Sequence, residues 1–174
     1  MKKMMTVGVL SIVAFTALIL ILGLLMPNQR EFVKVAELKS SPEKVFAIVA
    51  DFQNQASWRN DVREIKVINE NTWKEIPEKG TPITCRIRHR IENQLFEIEI
   101  IEPKSFDGHW VGTFEPTSQN GTKIILKEVI TIRNPFFRGL SYIFVELDKT
   151  MELYITNLKL KLGEQGDKQE NLSS

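Results

Sequence analysis

The chain has 174 residues, 23 Lys or Arg against 22 Asp or Glu, and a formal net charge of +1. That length suits one domain with appendages, and the charge balance excludes the global basic field with which a nucleic-acid-binding protein attracts phosphate. Cys85 is the only cysteine, which excludes an internal disulfide and a cysteine-based metal cluster.

The first element is the plainest. Residues 1–4 form a short basic N-terminus carrying Lys2 and Lys3, and Met5 to Met26 then runs for 22 residues without a charge. A helix of about 20 apolar residues crosses the roughly 30 Å hydrocarbon core of a bilayer, so residues 5–26 are expected to be a transmembrane anchor. The rival is a cleaved signal peptide, whose apolar region spans about 7–15 residues and ends in a small-x-small site. The run here is longer, and Leu24-Leu25-Met26-Pro27 offers no such site. Lys2, Lys3 and the terminal amine precede the span, and Arg30 and Lys34 follow it, diluted by Glu31. By the positive-inside rule this favours a cytoplasmic N-terminus with the domain on the outer side.

After a linker at 27–30, Glu31 to Lys39 alternates as a strand does. Ser40-Ser41-Pro42-Glu43 starts a helix: Ser40 or Ser41 as N-cap, Pro in the first turn and an acid beside it. That helix runs to about Phe52, and a short helical turn covers Gln55 to Asn60. Arg63 to Ile68 and Thr72 to Ile76 read as strands. Thr84 to Ile91 and Leu95 to Ile101 both alternate with period two, which predicts a hairpin turning at Asn93-Gln94. In that register Arg90 faces Glu97, Arg88 faces Glu99, His89 faces Ile98 and Ile87 faces Ile100. One face is a ladder of opposite charges. The other carries Cys85, Ile87, His89, Ile91, Phe96, Ile98 and Ile100, as in a half-buried antiparallel sheet.

A second hairpin joins Gly108–Phe114 to Lys123–Arg133 through Asn120-Gly121, a strong turn signal. If Phe114 faces Leu126, then Trp110 faces Ile130 and Gly112 faces Glu128. Glu128 then falls on the apolar face, an expensive position unless it is paired or at a pocket mouth. Pro135 opens a long C-terminal helix after Asn134 as N-cap. Leu140, Phe144, Leu147, Met151, Tyr154, Leu158 and Leu162 recur on one stripe, and Gly163 stops it. Residues 164–174 are polar and expected to be a disordered tail. A strand, a helix pair, a run of antiparallel strands and one long helix make an α+β fold whose sheet needs a cover that the long helix can supply.

This order resembles the START-like, or SRPBCC, superfamily, and within it the bacterial polyketide cyclase/dehydrase-like proteins. The residues that carry the resemblance are the opening strand before "SSPEKVFAIVADFQNQASWRNDV", the "NGTKIILKEVITI" strand and "NPFFRGL". Pro42, Val45, Phe46, Asp51 and Trp58 match the family pattern, which marks the fold rather than a catalytic centre. The resemblance covers residues 31–163 and leaves out the apolar N-terminus. It implies a helix-grip fold, a curved antiparallel sheet wrapped around the C-terminal helix, with a cavity between them for a lipid or other hydrophobic small molecule. It also implies that Asp51 ends the first helix, that Trp58 is mostly buried at the base of the sheet, and that this helix pair borders the pocket entrance.

His89 and Glu128 are the candidate acid–base or ligand-orienting groups, because each is a polar side chain on an apolar face. The plainer reading makes His89 a hydrogen-bonded core residue and Glu128 a structural one. Trp110, Phe114, Met151 and Tyr154 are the further candidate ligand contacts, or else simple core. His109, beside a glycine near a strand start, and Cys85, with no basic neighbour on its face, carry little signal. Two distant histidines without a cysteine partner do not make a zinc site, and no cofactor or metal is expected. The arginines at 86, 88 and 90 lack interleaved aromatics, so nucleic acid is not an expected partner. The expectation is a membrane-anchored module that binds a hydrophobic molecule. Its alternatives are a structural or interaction domain with a closed core and a cyclase- or dehydrase-type enzyme using His89 or Glu128.

Overall fold

The computed structural model describes residues 2–144 and 147–164. Helix α1 (Lys2–Leu25) contains the apolar segment, and Thr6–Leu25 is long and apolar enough to cross a membrane. Seven strands follow: β1 (Gln29–Leu38), β2 (Val62–Asn69), β3 (Thr72–Pro77), β4 (Ile83–Ile91), β5 (Leu95–Glu102), β6 (Asp107–Pro116) and β7 (Thr122–Thr131). They form one antiparallel sheet in the order β1-β7-β6-β5-β4-β3-β2. Between β1 and β2 lie helix α2 (Pro42–Ala50) and a 3-10 helix over Phe52–Ser57. Helices α3 (Pro135–Phe144) and α4 (Leu147–Leu162) follow the sheet. This is the α+β helix-grip architecture.

The sheet bends around a core that local sequence builds from both sides. Val45, Phe46 and Val49 of α2 are fully buried against Phe96 and Phe114 of the sheet. The Phe46 ring meets those two rings edge-on, at centroid distances of 6.4 and 5.3 Å. Phe52 stacks flat on Trp73 at 4.3 Å. Met151, Tyr154, Leu158 and Leu162 of α4 close the core from the other side. At its end, Gly163 adopts a φ of +77°, its amide donates to Leu160, and the amide of Glu164 donates to Lys159. This pair of bonds satisfies the last carbonyls of the helix, and the positive φ favours glycine. Glu164, assigned above to the tail, instead accepts the amides of Lys39 and Ser40 and pins α4 to the β1–α2 corner. The rest of the expected tail, 165–174, lies outside the described residues.

Two expectations need correction. In the β4–β5 hairpin, Arg86 pairs with Glu99 and Arg88 bonds Glu97, two residues away from the expected ladder. A bulge between Ile87 and His89 shifts the register beyond it, so that Arg90 sits opposite Phe96, with its guanidinium over the Phe46 ring, and His89 is exposed. One extra residue in a period-two pattern turns every later side chain to the other face. Second, the apolar stripe does not run unbroken along the C-terminal helices. Its members from Met151 onward enter the core, whereas Phe144 is exposed and α3 packs on α1. Trp58 is partly buried and packs against the core, its ring centre 5.3 Å from that of Tyr154.

The α1–α3 contact is close. A side chain at Gly23 would strike the carbonyl of Pro135, and one at Gly139 would strike the carbonyl of Ile19. Arg138 donates through Nε to the carbonyl of Gly23, in the last turn of α1, and through Nη1 to that of Ile132. A cation suits a helix C-terminus, where carbonyls lack partners within the helix. Replacing Phe46 by Ala would open the junction of α2 with the sheet. We expect a loss of about 3–5 kcal/mol in urea unfolding followed by far-UV circular dichroism.

Candidate functional site

The inner face of the sheet and α4 leave a cavity of about 100 Å³ between them. Ile83, Phe96, Ile98, Ile100 and Met151 give it apolar walls, and Trp110 and Tyr154 add aromatic ones. Trp110 lies over Gly112, whose missing side chain leaves room for the indole, 2.8 Å from where a Cβ would stand. Tyr154 packs against both Trp58 and Trp110, at centroid distances of 5.3 and 5.6 Å.

Four polar residues from four parts of the chain meet at this cavity. Gln55 comes from the 3-10 helix, Arg59 from the turn before β2, Glu75 from β3 and Glu128 from β7. The Arg59 guanidinium bonds both oxygens of Glu75 at 3.1 Å, the Gln55 side chain at 2.9 Å and the Asp61 carboxylate. It also lies 5.3 Å from the centre of the Tyr154 ring. Arg59 and Glu75 are largely buried, with side chains 11% and 13% exposed. Burial works against the Arg59 charge, but Glu75 and Asp61 more than offset it, and its pKa stands above the usual value. A planar guanidinium suits this work because its fixed fork matches a carboxylate through two bonds at once.

Glu128 sits differently. Opposite Trp110 on β7, it lines the cavity and forms no hydrogen bond or ion pair among the described residues. Burial pushes its pKa from 4.5 up to about 7; Arg59 opposes that rise and Glu75 adds to it. Burial also raises the Tyr154 and Cys85 pKa values, leaving both neutral at ordinary pH. The Tyr154 hydroxyl is buried and has no hydrogen-bond partner among the described residues. The cavity therefore holds a carboxyl that is protonated up to about pH 7 and a phenol with an unused donor, among apolar walls.

Of the residues singled out in the sequence, the structure brings Trp110, Glu128, Met151 and Tyr154 together at this cavity, with His109 and Cys85 also on its lining. Phe114 is buried against Phe46 and is not on the lining. His89 is exposed on the far side of the bulge and takes no part. The register of the second hairpin also differs from expectation: Trp110 faces Glu128, Gly112 faces Leu126 and Phe114 faces Ile124. The slide is by two residues, so Glu128 keeps the inward face. Sequence reasoning missed Arg59 and Glu75. The available signal was Trp73-x-Glu75 in a short strand, which puts the carboxylate on the same face as a large apolar ring.

A sequence profile described as "Polyketide cyclase / dehydrase and lipid transport" matches residues 29–162. The chain belongs to this family. No curated protein matches the chain. Among solved structures, a START superfamily protein from Mycobacterium smegmatis is similar at 14% identity and a TM-score of 0.64, covering 76% of this chain and 97% of its own. The Zhui aromatase/cyclase from a Streptomyces species is similar at 10% identity and a TM-score of 0.65, covering 78% and 94%. Truncated norcoclaurine synthase from Thalictrum flavum is similar at 10% and 0.61, covering 79% and 96%. Likeness at these identities shows a shared fold and carries no ligand or reaction with it.

Two predictions follow from the electrostatics. Between pH 4.5 and about 7 the folded protein holds a proton on Glu128 that the unfolded chain has released, so stability falls as pH rises across that window. The loss amounts to about 3 kcal/mol. Urea unfolding across that pH range should show it in the parent protein, and Glu128→Gln should remove it. Glu75→Gln takes away a charge that raises the Glu128 pKa, so carbon-13 NMR of the Glu128 carboxyl should report titration at lower pH in that variant.

Proposed function

We propose that this chain is a membrane-anchored binding module that takes a hydrophobic small molecule, or the buried end of a lipid-like one, between its sheet and α4. The observation that carries this reading is a largely apolar cavity lined by the Glu128 carboxyl, whose pKa burial raises, and by a buried phenol, neither with a hydrogen-bond partner among the described residues. Such a cavity favours a ligand with an apolar body and one acceptor, a carbonyl or hydroxyl oxygen, at its inner end. Glu128 and Tyr154 would donate to that acceptor, and Trp110 and Met151 would pack against the body. Buried donors left unpaired cost free energy, and an incoming acceptor relieves that cost.

Volume limits the ligand. Pockets for drug-sized molecules measure about 300–1,000 Å³. The cavity here, about 100 Å³, takes a single ring or a short alkyl segment. A whole lipid requires α4 to separate from the sheet, and the family's association with lipid transport is consistent with that opening. The interior is not filled, which weighs against a closed structural domain. One observation favours catalysis as a second reading: Glu128 titrates near 7, where a general acid–base works best. In that reading His109, which lines the same cavity, replaces the exposed His89 as the available imidazole.

Calorimetric titration of the full chain in detergent micelles with 1-alkanols, hexanol through decanol, tests the binding reading. We expect saturable binding that weakens about tenfold in Glu128→Leu and disappears in Ile98→Trp, which fills the cavity. Equal uptake by the parent protein and Ile98→Trp would mean that the alcohols enter the micelle and the cavity binds nothing.

A further inference from the structure

Helix α3 has an apolar face that the described residues leave largely open, with Phe136 and Leu140 partly covered and the rest exposed. At 100° per residue, Phe136, Phe137, Leu140, Ile143 and Phe144 fall within an arc of about 120°. Phe137, Ile143 and Phe144 are 51%, 48% and 69% exposed. The opposite side of the helix is the one that meets protein. Arg138 bonds the carbonyls of Gly23 and Ile132, the Tyr142 hydroxyl donates to the carbonyl of Pro27, and Arg30 lies over the Tyr142 ring and donates to the carbonyl of Ser141. An ordinary surface helix does the reverse, turning its apolar face to the protein and its polar face to water.

The depth of α3 follows from its neighbour. Thr6–Leu25 is 20 residues long, about 30 Å as a helix, which leaves no spare length in crossing a bilayer. Leu25 then lies at the edge of the hydrocarbon, and Ile19, six residues earlier, about 9 Å inside it. Gly139 packs on the Ile19 carbonyl and Pro135 on Gly23. A helix in contact with those residues cannot stand in water while α1 spans. Its exposed apolar arc also continues the exposed apolar surface of α1, where Leu20, Ile21, Leu24 and Leu25 are uncovered. Arg138, its one charged residue, is spent on backbone carbonyls, as ionisable groups at membrane depth usually are.

We propose that α3 is embedded in the lipid layer beside the last turns of α1, with Phe137, Ile143 and Phe144 among the acyl chains. The domain is then held on the bilayer by two helices rather than one. The sheet is docked with the Gln29 and Thr131 end towards the membrane, so the rung of Phe32, Glu128 and Trp110 stands about three residues, or 10 Å, above it. This inference rests on α1 spanning and is independent of what the cavity binds.

Spin labels on the full chain, reconstituted in vesicles of phosphatidylcholine with a minority of phosphatidylglycerol, test it. Single cysteines would replace Phe137, Ile143 and Phe144, with Val13→Cys as the mid-span reference and Glu92→Cys as the aqueous one. The native Cys85 is buried and stays unlabelled. We expect positions 137, 143 and 144 to collide with dissolved oxygen in preference to an aqueous nickel chelate, as position 13 does and position 92 does not. A lipid signal at 13 with an aqueous signal at all three α3 positions overturns the embedding of α3 alone. An aqueous signal at 13 itself overturns the spanning helix and the inference with it.

Discussion

The buried guanidinium of Arg59 is the interaction on which the rest of the site depends. It joins the 3-10 helix through Gln55, the turn into β2 through Asp61, β3 through Glu75 and α4 through the Tyr154 ring. Removing one partner from a buried pair leaves the other charge stranded at a cost of several kcal/mol, so these elements stand or fall together. The buried Asn157, which donates to Asn60, adds a second tie between α4 and the same turn. Glu128, which has no ion pair among the described residues, holds its proton because it is buried, and Arg59, engaged by its own carboxylates, only moderates that effect.

How much of this was legible in the sequence depended on the distance over which the relevant physics acts. Local signals read correctly. Pro42 in the first turn of α2, Asn120-Gly121 between β6 and β7, and Gly163 after α4 each fix a boundary through the backbone of a few residues. Facing was legible where alternation was unbroken. Glu128 kept its inward position although its partner was misjudged, because a slide of two residues preserves the face. His89 did not survive, because the bulge beside Arg88 breaks the alternation, and nothing in "CRIRHRI" marks where the extra residue goes.

Long-range pairing was illegible. Arg59 and Glu75 lie 16 residues apart in sequence, in separate elements, and only the folding of the 3-10 helix over the end of β3 brings them together. The C-terminal stripe failed for a related reason. Helical periodicity shows that a face is apolar, but not whether a protein core or something outside the protein covers it. In α4 the face is covered by the sheet. In α3 the same kind of face points away from it.

The junction between α1 and β1 has a mechanical consequence. Only Met26, Pro27 and Asn28 separate the two elements, and all three are occupied: the amide of Met26 donates to Leu22, Pro27 accepts the Tyr142 hydroxyl, and Asn28 accepts the amide of Ile132. Three residues reach about 10 Å even when fully extended. With α1 in a bilayer, the domain has no leash on which to swing out. Anchored in that way, it would be a fixed post that travels only by diffusion within the plane of the membrane. Any exchange with a water-soluble carrier or enzyme would have to happen at the lipid surface, with the other party making the approach.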